Sequence, residues 1–415
     1  MIIDLGKIEQ KLFFLLGLFT SMALLQIQIG AIGLSPFNFI LYITFIVELF
    51  ISKISNPNKG GYIYLAYLIC ITFSAFINYS SLPKAWGIAN FTAVFNSWIL
   101  GYFLVFFNES KKRDVKQAFI SGLKVNAWIQ LIWGGMQYIL YQSTGQSLNQ
   151  VVFGDWLHMP TNYTYTNIYN GINRLTGLNW EPAFFGLSLI IGFLLSNKLW
   201  HKILFIIGII ASASRTSLLV LIAVILVGFI YDLIQKKKTS LNINPDQIVI
   251  SILLVLIVLI LVIGSWNSIS KTLFTTLTRF QNMNFDPSSR VHNFYYQVIW
   301  DLLFNKFSVL QLFFGIGTAS SGYPYNFYYS LYPQFIVKPW SIEDGLADII
   351  VGSGLIGVVL VYLWFINKAW IARKNKAAFL LIVGILVGAV TYSYFVNWIW
   401  MVVMFMSVPS INNNN

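Results

Sequence analysis

Four short stretches of this sequence place charged side chains where an apolar chain gives them little ordinary reason to be. In Arg174-Leu-Thr-Gly-Leu-Asn-Trp-Glu181-Pro182 an arginine and a carboxylate precede a proline suited to the first helical position. In Ala211-Ser-Ala-Ser-Arg215-Thr-Ser217 an arginine sits at a helix turn between two apolar runs. Ser288-Ser-Arg290-Val-His292 pairs an arginine with an imidazole, and Ser341-Ile-Glu343-Asp344-Gly-Leu-Ala-Asp348 spaces Asp344 and Asp348 to share one helix face. A guanidinium is a planar fork that donates paired hydrogen bonds to phosphate oxygens. A carboxylate or an imidazole can take the proton of an attacking hydroxyl. Arg174, Arg215 and Arg290 are therefore candidate anion ligands, and Glu181, Asp344 and His292 candidate bases.

Each has a plainer explanation. An arginine held in hydrocarbon costs ~2.5 to 3.5 kcal/mol, recoverable by snorkelling, by a partner such as Glu181 or by a lipid phosphate. Backbone N–H groups at Thr216 or Ser217 would add to an anion site. Glu181 can simply complement the positive end of a helix dipole, worth about 0.3 to 1 kcal/mol, or it can act as base or orient Arg174. The dipole likewise accounts for two of the three acids between 343 and 348, while Asp348, a turn inside an apolar run, is suited to proton transfer. A histidine in a loop is commonly just solvated.

The elements that must position these residues follow from composition. Of 415 residues 57% are hydrophobic and 10% charged, against about 25% charged in a soluble domain, so lipid must be the main solvent. Apolar stretches near the ~20 residues of a bilayer crossing recur throughout. The fold expected is an all-α polytopic membrane protein, one integral membrane domain over 1–415 with about 12 transmembrane helices. The spans read Leu12 to Ile32, Phe37 to Ile51, Tyr62 to Ile77, Ile88 to Phe107, Ala118 to Tyr141, Pro182 to Leu195, Ile203 to Ala213, Thr216 to Ile234, Ile248 to Ile263, Leu346 to Ile366, Ala377 to Tyr392 and Phe395 to Val408. The N-terminus carries no cleavage site after a short apolar run and reads as a retained first helix.

Threaded from a cytoplasmic N-terminus, with the C-terminus also cytoplasmic, these spans put seventeen of the 26 basic residues inside, in every lysine-rich cluster. The net charge of +12 thus reflects topology and not nucleic-acid binding. Two of those seventeen are arginine, against four of the remaining nine, which points to an anionic ligand on the outer side. Two long outer segments, about 142–181 and 265–345, are rich in Tyr, Asn, Phe and Trp, fit for an interfacial belt or for stacking sugars. Cys70 is the one cysteine, so neither a disulfide nor a thiolate metal cluster can form. Gly352-Ser-Gly354-Leu-Ile-Gly357 has dinucleotide spacing, but with no preceding strand it reads as helix packing. Glu48, near an inner helix end, has no assigned role.

These residues resemble the O-antigen polymerase and ligase superfamily, the Wzy-type polymerases of O-antigen, capsule and exopolysaccharide. The resemblance rests on Arg174 and Gly177 ahead of Glu181-Pro182, the Ser214-Arg215-Thr216 turn, Arg290 followed by Phe313-Phe-Gly-Ile-Gly317, and Asp344-Gly345 leading into Gly354-Leu-Ile-Gly357. It runs from about Ile172 to Gly357. It implies a bacterial cytoplasmic-membrane enzyme that transfers a glycan from undecaprenyl diphosphate to a hydroxyl of the next lipid-linked oligosaccharide repeat, outside the membrane. It implies no cofactor, metal or nucleotide sugar, and a chain-length regulator and a flippase as companions. Arg215 and Arg290 would hold the diphosphate with help from Arg174, and Glu181, Asp344 or His292 would serve as base. Ligases of the superfamily carry a histidine near the end of the large outer loop; Glu343-Asp344 stands there in this chain, which favours polymerase over ligase. A flippase-like carrier is the other rival, but it would place charges around the midplane and often show two similar halves.

Overall fold

Backbone groups in lipid find no water to bond, so a chain this apolar must satisfy them internally, and helices do so segment by segment. The computed structural model describes residues 4–29, 32–51, 56–57, 59–107, 113–159, 168–169, 172–236, 287–328, 342 and 344–407. Among these the structure is helical apart from two small antiparallel hairpins, Ile27–Ile29 with Ile32–Leu34 and Ile168–Tyr169 with Ile172–Asn173. In chain order the helices are α1 (Leu5–Leu18), α2 (Pro36–Ile51), α3 (Lys59–Ile77), α4 (Lys84–Gly101), α5 (Arg113–Thr144), α6 (Pro182–Leu195), α7 (Leu199–Ala211), α8 (Arg215–Lys236), α9 (Pro287–Asp301), α10 (Val309–Phe314), α11 (Tyr325–Tyr328), α12 (Gly345–Ala372), α13 (Lys376–Gly388) and α14 (Asn397–Ser407).

Four of the described segments are long and apolar enough to cross a membrane, Gly60–Ile77, Lys84–Phe106, Arg215–Ile234 and Gly345–Ala372, and five shorter apolar helices accompany them. Together they make a multi-pass helical membrane protein. The predicted ninth span, Ile248 to Ile263, lies outside the described residues. The predicted first span, Leu12 to Ile32, is not one helix. After α1 stops at Leu18, Ser21 adopts a φ of 59° and the chain passes through a 3-10 turn, Ala23–Leu25, into the first hairpin. Ile27-Gln-Ile29 alternates with the period of a strand, and Asn126 secures the break by donating to the Leu18 carbonyl at 2.7 Å. The 32 residues of α5 cover the predicted fifth span, but α5 is not among the four segments that qualify by composition. Its amides Asn126, Gln130 and Gln137 are buried and bonded to protein, which is how they are tolerated.

The chain forms two compact units, residues 1–126 with 284–415, and residues 127–283. In the first, α12 packs on α3, α10 and α13, and α9 lies against α12. An aromatic knot fills its core: the Trp400 ring lies 4.8 Å from Trp364, 4.9 Å from Phe365 and 5.2 Å from Tyr64. Buried aromatics of this size dominate a core's apolar area, and offset or edge-to-face pairs add about 0.5–1.5 kcal/mol each. In the second unit α6 is the central element, buried from Pro182 to Gly192 apart from Phe184, and packed on α7 and α8.

Candidate active site

Asp344 is the residue before α12, extended at φ −86° and ψ 121°, and its carbonyl takes the Asp348 N–H at 2.8 Å. A carboxylate in that position commonly caps its own helix. The Asp344 side chain does not. Instead its Oδ1 lies 2.8 Å from Nδ1 of His292 on α9, with the carboxylate fully buried and the imidazole 23% exposed. At that separation the two groups form an ion pair when the imidazole is protonated. Because Nδ1 is the buried nitrogen, proton exchange with anything outside the pair falls to Nε2. Burial pushes the Asp344 carboxyl above its ordinary range, and His292 opposes that shift.

The pair is held by the packing of α9 onto α12. Phe294, Tyr295, Val298, Ile299 and Leu302 form a cluster with Ile316, Tyr325, Ala347 and Val351. Tyr325 donates to the Tyr295 carbonyl at 3.1 Å and Tyr296 to the Val390 carbonyl at 2.8 Å. The Tyr296 hydroxyl is pushed up to about 12, first by burial and then by the Asp344 charge. One turn into α12, Asp348 accepts a hydrogen bond from Ser321 and lines a cavity of about 210 Å³ with Tyr67, Asn96, Thr318 and Asn397.

The glycine spacing of α12 proves to be a break in the helix. Gly354 takes φ 67° and ψ −172°, and a Cβ there would come within 2.4 Å of the Phe313 carbonyl carbon. A broken ladder leaves carbonyls without their usual donors. Here Ile316 N–H bonds the Val351 carbonyl at 3.0 Å and Gly317 N–H bonds that of Gly352 at 2.9 Å. Phe313-Phe-Gly-Ile-Gly317 and Gly352-Ser-Gly354 are thus each other's partners, and Asn78 fixes the first by donating to the Gly315 carbonyl at 2.9 Å.

The second unit gathers the other candidates by a different route. The segment after Arg174 is buried from Leu175 to Asn179 and is held by amides, with Gln130 Oε1 accepting from Leu178 N–H at 2.8 Å and Gln137 Oε1 from Gly177 N–H at 2.9 Å. Asn149 donates to the Thr176 hydroxyl at 3.0 Å and accepts from Trp133 at 2.8 Å. This cradle brings Arg174 to the approach to α6, whose preceding residue, Glu181, is half-buried and does not cap its helix. At the start of α8, Ser217 Oγ donates to the Ala183 carbonyl at 3.3 Å, joining the N-terminal ends of α6 and α8 and so the neighbourhoods of Glu181 and Arg215. Arg174 and Arg215 are both half-buried.

The structure therefore brings His292 to Asp344, and Arg174, Glu181 and Arg215 to adjoining loop and helix ends. Arg290 lies in the first turn of α9, two residues before His292; its side chain, like Glu343, lies outside the described residues. One expectation is corrected: the Ser217 N–H anticipated for an anion is taken by Ser214 Oγ at 3.2 Å, because Ser214 caps α8. Another changes meaning. The loop end before α12 lacks a histidine in sequence, but His292 supplies an imidazole there in space. The amides Gln130, Gln137 and Asn149 were not singled out from sequence; polar residues seven apart on a membrane-domain helix were the available signal.

No curated protein sequence matches this chain. Residues 201–362 match a family described as O-antigen ligase, a stretch that includes Arg215, Arg290, His292 and Asp344 and leaves out Arg174 and Glu181. Over that stretch, about two fifths of the chain, the protein is similar to the O-antigen ligase family.

Proposed function

We propose that the protein is a polymerase, joining oligosaccharide repeat units carried on undecaprenyl diphosphate at the outer face of the bacterial cytoplasmic membrane. The observation that carries the glycosyl-transfer chemistry of this reading is the 2.8 Å contact between buried Asp344 and His292. A carboxylate fixed on one ring nitrogen sets the tautomer and stabilises the imidazolium, leaving the other nitrogen as general base. The acceptor sugar's hydroxyl oxygen forms a bond to the donor's anomeric carbon while its proton passes to His292. The bond from that carbon to the diphosphate oxygen breaks, and undecaprenyl diphosphate departs with the electron pair. Arg174, Arg215 and Arg290 are assigned to the diphosphate, whose growing negative charge paired guanidinium hydrogen bonds stabilise more than they stabilise the bound substrate. Glu181 orients Arg174 or Arg215.

The test is to incubate purified protein with lipid-linked oligosaccharide alone. A ladder of products on the polyprenyl carrier, lost in His292→Gln, is the expected result; no ladder under conditions where the protein is folded refutes polymerisation. The imidazole at the loop end favours one second reading, a ligase that transfers a finished glycan once. Supplying an acceptor without a polyprenyl tail separates the two, since a ligase gives a single transfer to it and no ladder.

A further inference from the structure

A second cavity in the first unit, about 580 Å³, opens beside the C-terminal end of α9, within the size range of ligand sites. It is lined by Asp301, Lys306, Phe307, Tyr323 and Tyr328, and neither His292 nor Asp344 reaches it. The backbone here is unusual. Past Asp301 the helix widens into a π-helical turn, Leu302–Lys306, closed by Phe307 N–H on the Leu302 carbonyl at 2.8 Å. Such turns are rare and frequent at functional sites; this one puts Lys306 and Phe307 on the same cavity as Asp301. Immediately afterwards Ser308 and Gln311 form a capping box that starts α10, and Gln311 Nε2 donates to Asn78 Oδ1 at 3.1 Å, so the wall is anchored to the end of α3.

Asp301 accepts from Asn305 Nδ2 at 2.6 Å and from the Tyr328 hydroxyl. Those two donors hold its carboxyl below the usual carboxylate range. It is therefore a fixed anion with lone pairs to spare, a hydrogen-bond acceptor and a poor base. A carboxylate of this kind repels a diphosphate, and a carboxylate with an ammonium beside it is hostile to a lipid tail. Aromatic rings alongside both charges suit a ring with an apolar face and a hydroxylated rim.

We propose that this cavity is a glycan subsite, taking uncharged pyranose rings of the substrate oligosaccharide at a few sugars' remove from the bond being made. Their apolar faces lie on Tyr323, Tyr328 and Phe307, and their hydroxyls donate to Asp301 and accept from Lys306. Nine residues of α9 separate His292 from Asp301, about 13 Å at 1.5 Å per residue. The inference rests on the function proposed above, and it gives that enzyme a grip on its glycan independent of the diphosphate.

The probe is the lipid-free repeat oligosaccharide, released by mild acid from the host's own polyprenyl-linked precursor and added to the full chain in nanodiscs. Saturation-transfer NMR reads the contact. Transfer is expected with the wild type and with His292→Gln, and a tenfold or greater loss of affinity with Asp301→Ala and with Tyr328→Phe, the second keeping the ring and removing only a hydroxyl. In the ladder assay the same two variants should shorten the products. Wild-type affinity in both variants, no transfer to the wild type, or a loss equally large in His292→Gln overturns the subsite. Failure of the wild type to make a ladder overturns the polymerase reading instead, and the two results are scored separately.

Discussion

Two helices of this protein begin alike and meet different surroundings. Glu181 before α6 and Asp344 before α12 are both carboxylates in extended backbone, and neither caps the helix it precedes. Around Asp344 the surroundings are aromatic, the carboxylate is fully buried, and its 2.8 Å neighbour is an imidazole. Around Glu181 the carboxylate is half-buried, the adjoining helix end carries Arg215, and a cradle of neutral amides holds the chain that follows Arg174. A buried acid coupled to one titratable partner is the arrangement that moves a proton. A half-buried carboxylate with arginines on adjoining segments is suited to orienting cations and tempering their charge. The same helix-end position thus meets different burial and a different partner, and the roles proposed for Asp344 and Glu181 differ accordingly.

The largest effects should come from exchanging members of the first pair. His292→Gln and Asp344→Asn are each expected to lower the rate of ladder formation by about 10²- to 10⁴-fold, the usual range for a lost general base. Glu181→Gln should cost far less, about tenfold. An equal loss in Glu181→Gln would erase the distinction and return Glu181 to the list of bases. Next in size, Arg215→Lys and Arg290→Lys keep the charge and lose the paired geometry. Each should reduce kcat/KM for the lipid-linked donor by about 10- to 100-fold, the factor for one charge-assisted hydrogen bond of roughly 1.5–3 kcal/mol. Wild-type yield and polymer length at normal protein levels would refute the diphosphate assignment.

A smaller effect concerns pH. Because burial raises the Asp344 carboxyl, the ionised form that holds His292 is present only above a value higher than an ordinary aspartate's. Activity should therefore fall on the acid side at a correspondingly higher pH. His292 is what opposes the shift, so in His292→Gln the residual activity should lose its acid limb at a still higher pH. Replacing Glu181 should leave the limb where it is. An acid limb that moves down in His292→Gln would mean that some other group titrates.

Most helices were legible because lipid enforces them: α6 coincides with its predicted span, and α2, α3, α7, α8 and α13 lie within a few residues of theirs. What was not legible depended on contacts distant in sequence. Nothing local says that His292 meets Asp344, since 52 residues separate them and helical periodicity carries no information across such a loop. The Gly354 break likewise looks like any small-residue stripe until the Phe313–Gly317 segment is seen to fill it. Hydropathy also misread the first span, because Ile27-Gln-Ile29 is as apolar on average as a helix and only its period of two distinguishes it. The arginines were singled out by type alone, because a guanidinium in an apolar sequence is costly wherever it lands.

Gly177 offers the gentlest way to separate the two helix ends. It sits between Arg174 and Glu181 at φ 59°, and a Cβ there would lie 2.2 Å from Gln130 Oε1 and 2.6 Å from the Phe185 ring. Both the left-handed backbone and the missing space require glycine. Gly177→Ala should cost about 1–3 kcal/mol of local strain, much of it relieved if the 174–180 segment withdraws from its amide cradle. Thermal unfolding should then begin a few degrees lower, and KM for the lipid-linked donor should rise several-fold as Arg174 loses its fixed position. The Asp344–His292 pair belongs to the other unit, so the acid limb of the pH profile should stay put. If Gly177→Ala displaced that limb, the amide cradle and the imidazole–carboxylate pair would be one coupled site, and the division of labour between the two helix ends would fail.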